Sequence, residues 1–148
     1  MQKCAAVHRM AAQAAAVLLL AACLSACSDS GKNPTGDGSP DTTIAFAADV
    51  QPIFTASCAT TDCHTGAQPA KGLRLSTGVS HGNIVNRPSL DAPAYQLVLP
   101  TKPDSSYLFL KIEGANGIVG ARMPFGGTLP EASIEIIRHW IVQGAQAN

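Results

Sequence analysis

The stretch Cys58-Ala59-Thr60-Thr61-Asp62-Cys63-His64 constrains this chain more than any other. It places two thiols and an imidazole within seven residues, with the His directly after the second Cys. Three kinds of chemistry use such a grouping. The thiols can close a disulfide, or they can join the imidazole in a tetrahedral zinc site. They can also add across the two vinyl groups of a haem, whose iron the adjacent imidazole then ligates. The usual spacing for haem attachment is C-x-x-C-H. Here the spacing is C-x-x-x-x-C-H, two residues longer.

The other cysteines help to choose. Residues 1–26 read as a secretory signal peptide, with Lys3 and Arg9, an acid-free apolar run through Val17-Leu18-Leu19-Leu20, and then small residues. Gln13 and Ser25 interrupt the run, which is marginal against the roughly 20 apolar residues of a membrane span. Leu24-Ser25-Ala26-Cys27 resembles the lipobox of bacterial lipoproteins, which implies a lipidated Cys27 at the start of the mature protein. Leu20-Ala21-Ala22-Cys23 resembles it as well, but Cys23 would leave an apolar stub ahead of the polar segment. Ser28, the next residue, resembles outer-membrane rather than inner-membrane sorting. On this reading the protein is exported to the periplasmic side and held at a membrane through lipid.

With Cys4 and Cys23 in the signal and Cys27 lipidated, Cys58 and Cys63 are the remaining thiols. Export permits a disulfide between them. Closing so short a loop would constrain little of the unfolded chain, and it leaves His64 without a role. A zinc site lacks a second Cys/His cluster. One covalent haem c is the reading that uses all three side chains.

Residues 27–43 are Gly-, Pro-, Ser- and Asp-rich and read as a flexible tether. Residues 44–148 read as one domain. The formal net charge is +0, and removing 1–26 leaves eight basic against ten acidic side chains, which points away from nucleic acid. Aromatic content is 5%, with 13 Gly and 10 Pro, so a domain of this size is short of core material. A bound apolar group would supply the missing volume.

Phe46, Val50, Ile53 and Phe54 recur at helical steps and predict a short amphipathic helix leading to Cys58, with Pro52 near its first turn. Residues 76–93 read as a loop, and 95–100 as a short extended piece. Asp104 or Ser105 is placed to cap a helix carrying Tyr107, Leu108, Leu110 and Ile112, ended by Gly114 and Gly117. Pro130 and Glu131 open the clearest helix, with Ile134, Ile137, Trp140 and Ile141 on one stripe and a stop near Gly144.

A haem iron held through a Cys-attached ring takes a second axial ligand, Met or His. Met123 is the methionine that remains after 1–26, and it stands in a Gly- and Pro-rich loop whose Gly126-Gly127 allow close approach to a flat ring. His81, in a polar loop, and His139, off the main stripe of the last helix, are the rivals, and both read as solvated.

Asp49-Val-Gln-Pro-Ile-Phe-Thr-Ala-Ser-Cys, the Cys58–His64 motif, Gly72-Leu73-Arg74-Leu75, Pro103-Asp104-Ser105-Ser106-Tyr107-Leu108, Arg122-Met123-Pro124-Phe125-Gly126-Gly127 and Ile137-Arg138-His139-Trp140-Ile141 follow in that order. As an ordered set they resemble the small single-haem cytochrome c domains of bacterial lipoproteins and exported proteins, including relatives with the longer loop. The resemblance implies an all-α, class I cytochrome c-like fold with short helices and long loops around a covalent haem. It implies that the first and last helices cross, pairing Val50 or Phe54 with Trp140. It further implies His64 and Met123 as iron ligands, and Arg74 and Arg122 as candidates for the haem propionates. His64 would donate its other ring N–H to a backbone carbonyl, usually that of a Pro after the motif, although Pro69 lies closer than the common pattern places it.

The function this implies is a membrane-tethered one-electron carrier with redox partner proteins, not an enzyme. Two alternatives stay open. One is a haem-based peroxidase or gas-binding domain with an open distal site. The other is a haem-free interaction module stapled by Cys58 and Cys63.

Overall fold

Pro52 has no backbone N–H and its ring crowds the carbonyl four residues back, so an α-helix running unbroken through it is disfavoured. The chain solves this with a π turn, Phe46–Val50, ahead of the first α-helix, α1 (Gln51–Ser57). The Gln51 N–H donates to the Phe46 carbonyl, the wider register of a π turn, and Pro52 falls in the first turn of α1. At the start of the turn, Ala45 N–H donates to Asp49 Oδ2 at 2.7 Å while Asp49 N–H donates to the Ala45 carbonyl at 2.8 Å. These are coordinates of a computed structural model that describes residues 42–148. The expected signal peptide (1–26), the lipidated Cys27 and the tether as far as residue 41 lie outside the described residues.

After α1 come a 3₁₀ turn (Ala70–Gly72), α2 (Ser80–Ile84), a second 3₁₀ turn (Pro103–Ser105), α3 (Tyr107–Glu113) and α4 (Glu131–Val142). The described chain is helical, without strands; only isolated bridges, Val85 to Val98, Pro88 to Gln96 and Gln96 to Ser106, pair its extended pieces. The expected all-α class therefore stands. No helix among the described residues is long and apolar enough to cross a membrane.

Two expectations are corrected. Residues 76–93 are not loop throughout, because α2 forms there. Its buried Ser80 hydroxyl donates to Gln51 Oε1, and the Gln51 amide donates to the Leu75 carbonyl at 3.1 Å, so a buried polar network ties α2 to α1. Neither Asp104 nor Ser105 caps α3, because both belong to the 3₁₀ turn and Ser106 stands at the N-cap. The Ser106 hydroxyl instead serves the preceding loop, donating to the Lys102 carbonyl and accepting Leu99 N–H. Gly114 does end α3, in the left-handed region at φ 71° that glycine adopts without strain.

The first helical segment packs on the last, and Phe46 joins the expected Val50 and Phe54 in the core that holds Trp140. Trp140 meets Phe46 of the π turn, with ring centroids 5.1 Å apart, while Val50 and Phe54 fill the same core behind it. The tails are stitched alongside this contact: Phe46 N–H donates to Asn148 Oδ1 and Ala47 N–H to the Asn148 carbonyl, both at 2.9 Å. In α4, Ile134, Ile137, Trp140 and Ile141 are all buried, the stripe read from their spacing. In α3, Phe109 is fully buried as well, so that helix is covered on two sides.

Candidate functional site

The Cys58–His64 loop begins where α1 runs out. Cys58 N–H still donates to the Phe54 carbonyl at 2.9 Å, and the chain then turns back so that His64 N–H meets the Cys58 carbonyl at 3.1 Å. The additional residues are taken up inside this closure. Cys63 N–H donates to the Thr60 carbonyl at 3.1 Å, and Asp62 occupies the left-handed region at φ 64°, which Asp tolerates better than most residues. The longer spacing is thus a local turn that leaves the two ends of the motif tied together.

His64 is oriented by its backbone surroundings. Its Nδ1 lies 3.2 Å from the Leu73 carbonyl. A carbonyl can only accept, so Nδ1 carries the hydrogen and Nε2 keeps the lone pair that a metal would use. A backbone acceptor was expected here. It is Leu73, in the segment Gly72-Leu73-Arg74-Leu75, and not Pro69. His64 also accepts Leu75 N–H on its own carbonyl at 2.8 Å, so ring and backbone are fastened to one strip of chain.

His64, Cys58 and Met123 all line one cavity of about 300 Å³. Its wall is largely apolar, drawn from Phe54 of α1, Leu73 and Leu75, Leu108 and Ile112 of α3, and Ile137 of α4. Such a volume is at the lower end of small-ligand sites, typically about 300–1,000 Å³. Met123 reaches the wall from the loop after α3, where its N–H donates to the Lys111 carbonyl at 2.9 Å. Neither His81 nor His139 lines the cavity. His81 is not a solvated loop residue: it sits in α2, its Nε2–H donates to the Ala145 carbonyl at 2.8 Å, and its ring stands edge-on to Phe46 at 5.0 Å. His139 lies half-buried near Glu135 at 3.9 Å.

The two thiols differ. Both are free, and Cys63 is exposed whereas Cys58 is partly covered. Burial, with a smaller contribution from Cys63, pushes the Cys58 thiol up to about 11. Among the described residues, no group of three His, Cys, Asp or Glu side chains is placed to hold a metal ion, so the zinc alternative finds no ligand set there.

Arg74 and Arg122 do not line the cavity. Arg74 borders a separate depression with Gln68, Pro69 and Asn83. Arg122 lies across Gly114, close enough that a Cβ there would meet its Cδ at 2.8 Å, and its Nε donates to the Ile112 carbonyl at 2.8 Å. The cations on the cavity wall are Lys71, Arg87 and Lys111, with Asp91 as the carboxylate beside them. Lys71 pairs with Asp91 at 3.0 Å, Arg87 Nε donates to the Gly82 carbonyl at 2.9 Å, and Lys111 Nζ donates to the Val119 carbonyl at 2.8 Å. Nothing in their local sequence marks these three, because they come from separate segments that only the fold assembles.

No family model matches the chain. No curated protein matches it either. Among solved structures, hydrazine synthase of Kuenenia stuttgartiensis is similar at 23% sequence identity and a TM-score of 0.49, over 70% of this chain. The match spans 16% of that longer chain.

Proposed function

We propose that residues 44–148 form a class I-like cytochrome c domain that carries one electron at a time on a single covalent haem. The observation that carries this reading is the convergence of Cys58, His64 and Met123 on one apolar cavity. Fifty-eight residues separate His64 from Met123, and no local constraint requires them to meet.

Of the residues that would hold the group, Cys58, His64 and Met123 line the cavity, while Cys63 is exposed and is not on its wall. Cys58 and Cys63 would hold the group through thioethers, His64 Nε2 and the Met123 sulfur would ligate its iron, and the apolar wall would cover it. When bound, such a haem supplies a one-electron iron couple, and Met ligation favours a relatively high potential. The chain's own residues do the rest. The Leu73 carbonyl holds the His64 tautomer and ring orientation. The side chains of Phe54, Leu108, Ile112 and Ile137, which line the cavity, would keep water from a bound group. Arg87 would provide positive charge on the wall, where carboxylates of a bound group would be neutralised.

If His64 and Met123 both ligate the iron, substrate would have no open site on it, so we propose a carrier rather than an enzyme. Its partners would be other redox proteins. Export and a lipid anchor at Cys27, with outer-membrane sorting, complete the proposal.

The test is expression in a host that matures c-type cytochromes, followed by denaturing electrophoresis with haem staining and spectra of both oxidation states. A haem-stained band, loss of that band in Cys58→Ser/Cys63→Ser, and a near-infrared methionine-to-iron band in the oxidised protein are expected. A colourless wild-type band would overturn the haem. Carbon monoxide binding to the reduced form, without the methionine band, would favour an open-site sensor or peroxidase instead.

A further inference from the structure

The loop that delivers Met123 has no helix or strand of its own, yet it is fastened at nearly every residue from 119 to 123. Lys111 makes three of the attachments. Its Nζ donates to the Val119 carbonyl at 2.8 Å and to the Ala121 carbonyl, and its own carbonyl accepts Met123 N–H at 2.9 Å. Tyr107, one helical turn earlier on α3, accepts Val119 N–H on its hydroxyl at 2.9 Å. Arg122 Nε closes the set on the Ile112 carbonyl. Lysine normally extends its ammonium into water, since holding the long stem costs rotamer entropy. Here Lys111 lines the cavity and spends its charge on backbone carbonyls, with no carboxylate within ion-pair distance among the described residues.

Resting on the reading of Met123 as an iron ligand, the geometry points to Lys111 as the positioning residue for that ligand. A thioether is neutral and has no charge attraction to hold it on a metal. Its apparent strength is therefore set by the fraction of loop conformers that already present the sulfur, because an ordering cost lowers apparent affinity by that fraction. Two charge-assisted bonds from one ammonium keep residues 119–121 against α3, and the backbone bond at Met123 places the sulfur-bearing residue itself. Lys111 touches neither bond to iron; it acts through the loop.

The test uses the matured, haem-bearing protein. Oxidised wild type, Lys111→Met, Lys111→Arg and Tyr107→Phe are compared by the methionine-to-iron band and by titration with imidazole, which competes for the distal position. Lys111→Met keeps the stem and removes the donors. It is expected to bind imidazole roughly tenfold more tightly, a change of about 1.4 kcal/mol, and to show a weaker band. Tyr107→Phe should move both readouts in the same direction by less. Lys111→Arg, which keeps charge and donors, should stay near wild type. Wild-type imidazole affinity in Lys111→Met and Tyr107→Phe overturns the inference, even if their urea midpoints fall, because a purely structural role would lower stability alone. If Lys111→Met yields no haem-bearing protein, Tyr107→Phe decides by the same criterion. A wild-type protein with stained haem but no methionine band overturns the Met123 ligand and this inference together, whereas a band that Lys111→Met leaves intact overturns the inference only.

Discussion

Cys58 and Cys63 are neighbours in the chain and unlike in surroundings. The first ends α1 on the cavity wall; the second is exposed on the turn. Burial favours the neutral thiol at Cys58, so in the haem-free protein its stabilising contribution is complete below 9.0 and is lost as pH rises through about 11. The urea midpoint of haem-free protein should decline across that window, and Cys58→Ser should remove part of the decline. The same asymmetry predicts that iodoacetamide at about pH 8 labels Cys63 faster than Cys58 in the fold, and at similar rates in urea, because the thiolate is the reactive form. Equal labelling in the native state would contradict the burial of Cys58. At this scale the candidate residues were legible by type and spacing, and the structure adds that Cys58, His64 and Met123 share one cavity. Their supports were not legible. The acceptor for His64 is a backbone carbonyl, which every residue owns, so Leu73 carries no mark. Arg74 and Arg122 stood beside recognisable motifs, but nearness in sequence to a motif does not aim a side chain. The cations on the cavity wall, Lys71, Arg87 and Lys111, were not singled out by any motif.

Among the elements, α4 was readable because its stripe repeats over several turns, and twelve residues are enough for the period to stand out. The piece from Ser80 to Ile84 was not, because Ser, His, Gly and Asn are poor helix formers and α2 depends on tertiary bonds from Ser80 and His81. Arg138 shows the same limit. Its position in α4 suggests a surface charge, yet its guanidinium joins three elements. It meets Glu113 of α3 at 2.6 Å and Asp104 of the 3₁₀ turn at 3.4 Å, and it lies 4.5 Å above the Phe109 ring. Exposed ion pairs are worth little singly, but a half-buried cation shared by three carboxylates, Glu135 of the same helix at 3.6 Å being the third, and an aromatic face contributes more. Arg138→Ala should lower unfolding free energy by about 1–2 kcal/mol in urea titrations, with Arg138→Lys recovering only part of it, because Lys lacks the planar fork. A loss below about 0.5 kcal/mol would place Arg138 among ordinary surface charges.

For the domain as a whole, α4 is a wall shared by two kinds of packing. On one side Trp140 and Ile141 close against Phe46 and the stitched tails, a finished core. On the other side Ile137 borders the cavity, where apolar surface waits for a partner. The scarcity of aromatic residues pointed to a shortage of core material, and of the few present Phe46 and Trp140 serve the finished side while Phe54 and Tyr107 line the cavity. It could not show where the missing volume lies, because that depends on how α1, α3 and α4 are set around the motif. The division has a measurable consequence. A ligand that fills the cavity stabilises the native state and slows opening of the segments it touches most. Hydrogen exchange of matured protein against haem-free Cys58→Ser/Cys63→Ser should therefore slow by about tenfold or more at Leu75, Leu108 and Met123, whose N–H groups bond His64, Leu97 and Lys111 around the cavity. Ala47 and Ala145, bonded to Asn148 and Trp140 on the finished side, should change far less. Equal slowing at both sets would mean that the domain opens only as one cooperative unit. No slowing at Leu75 and Met123 would mean that the haem sits elsewhere and that the cavity between His64 and Met123 has another use.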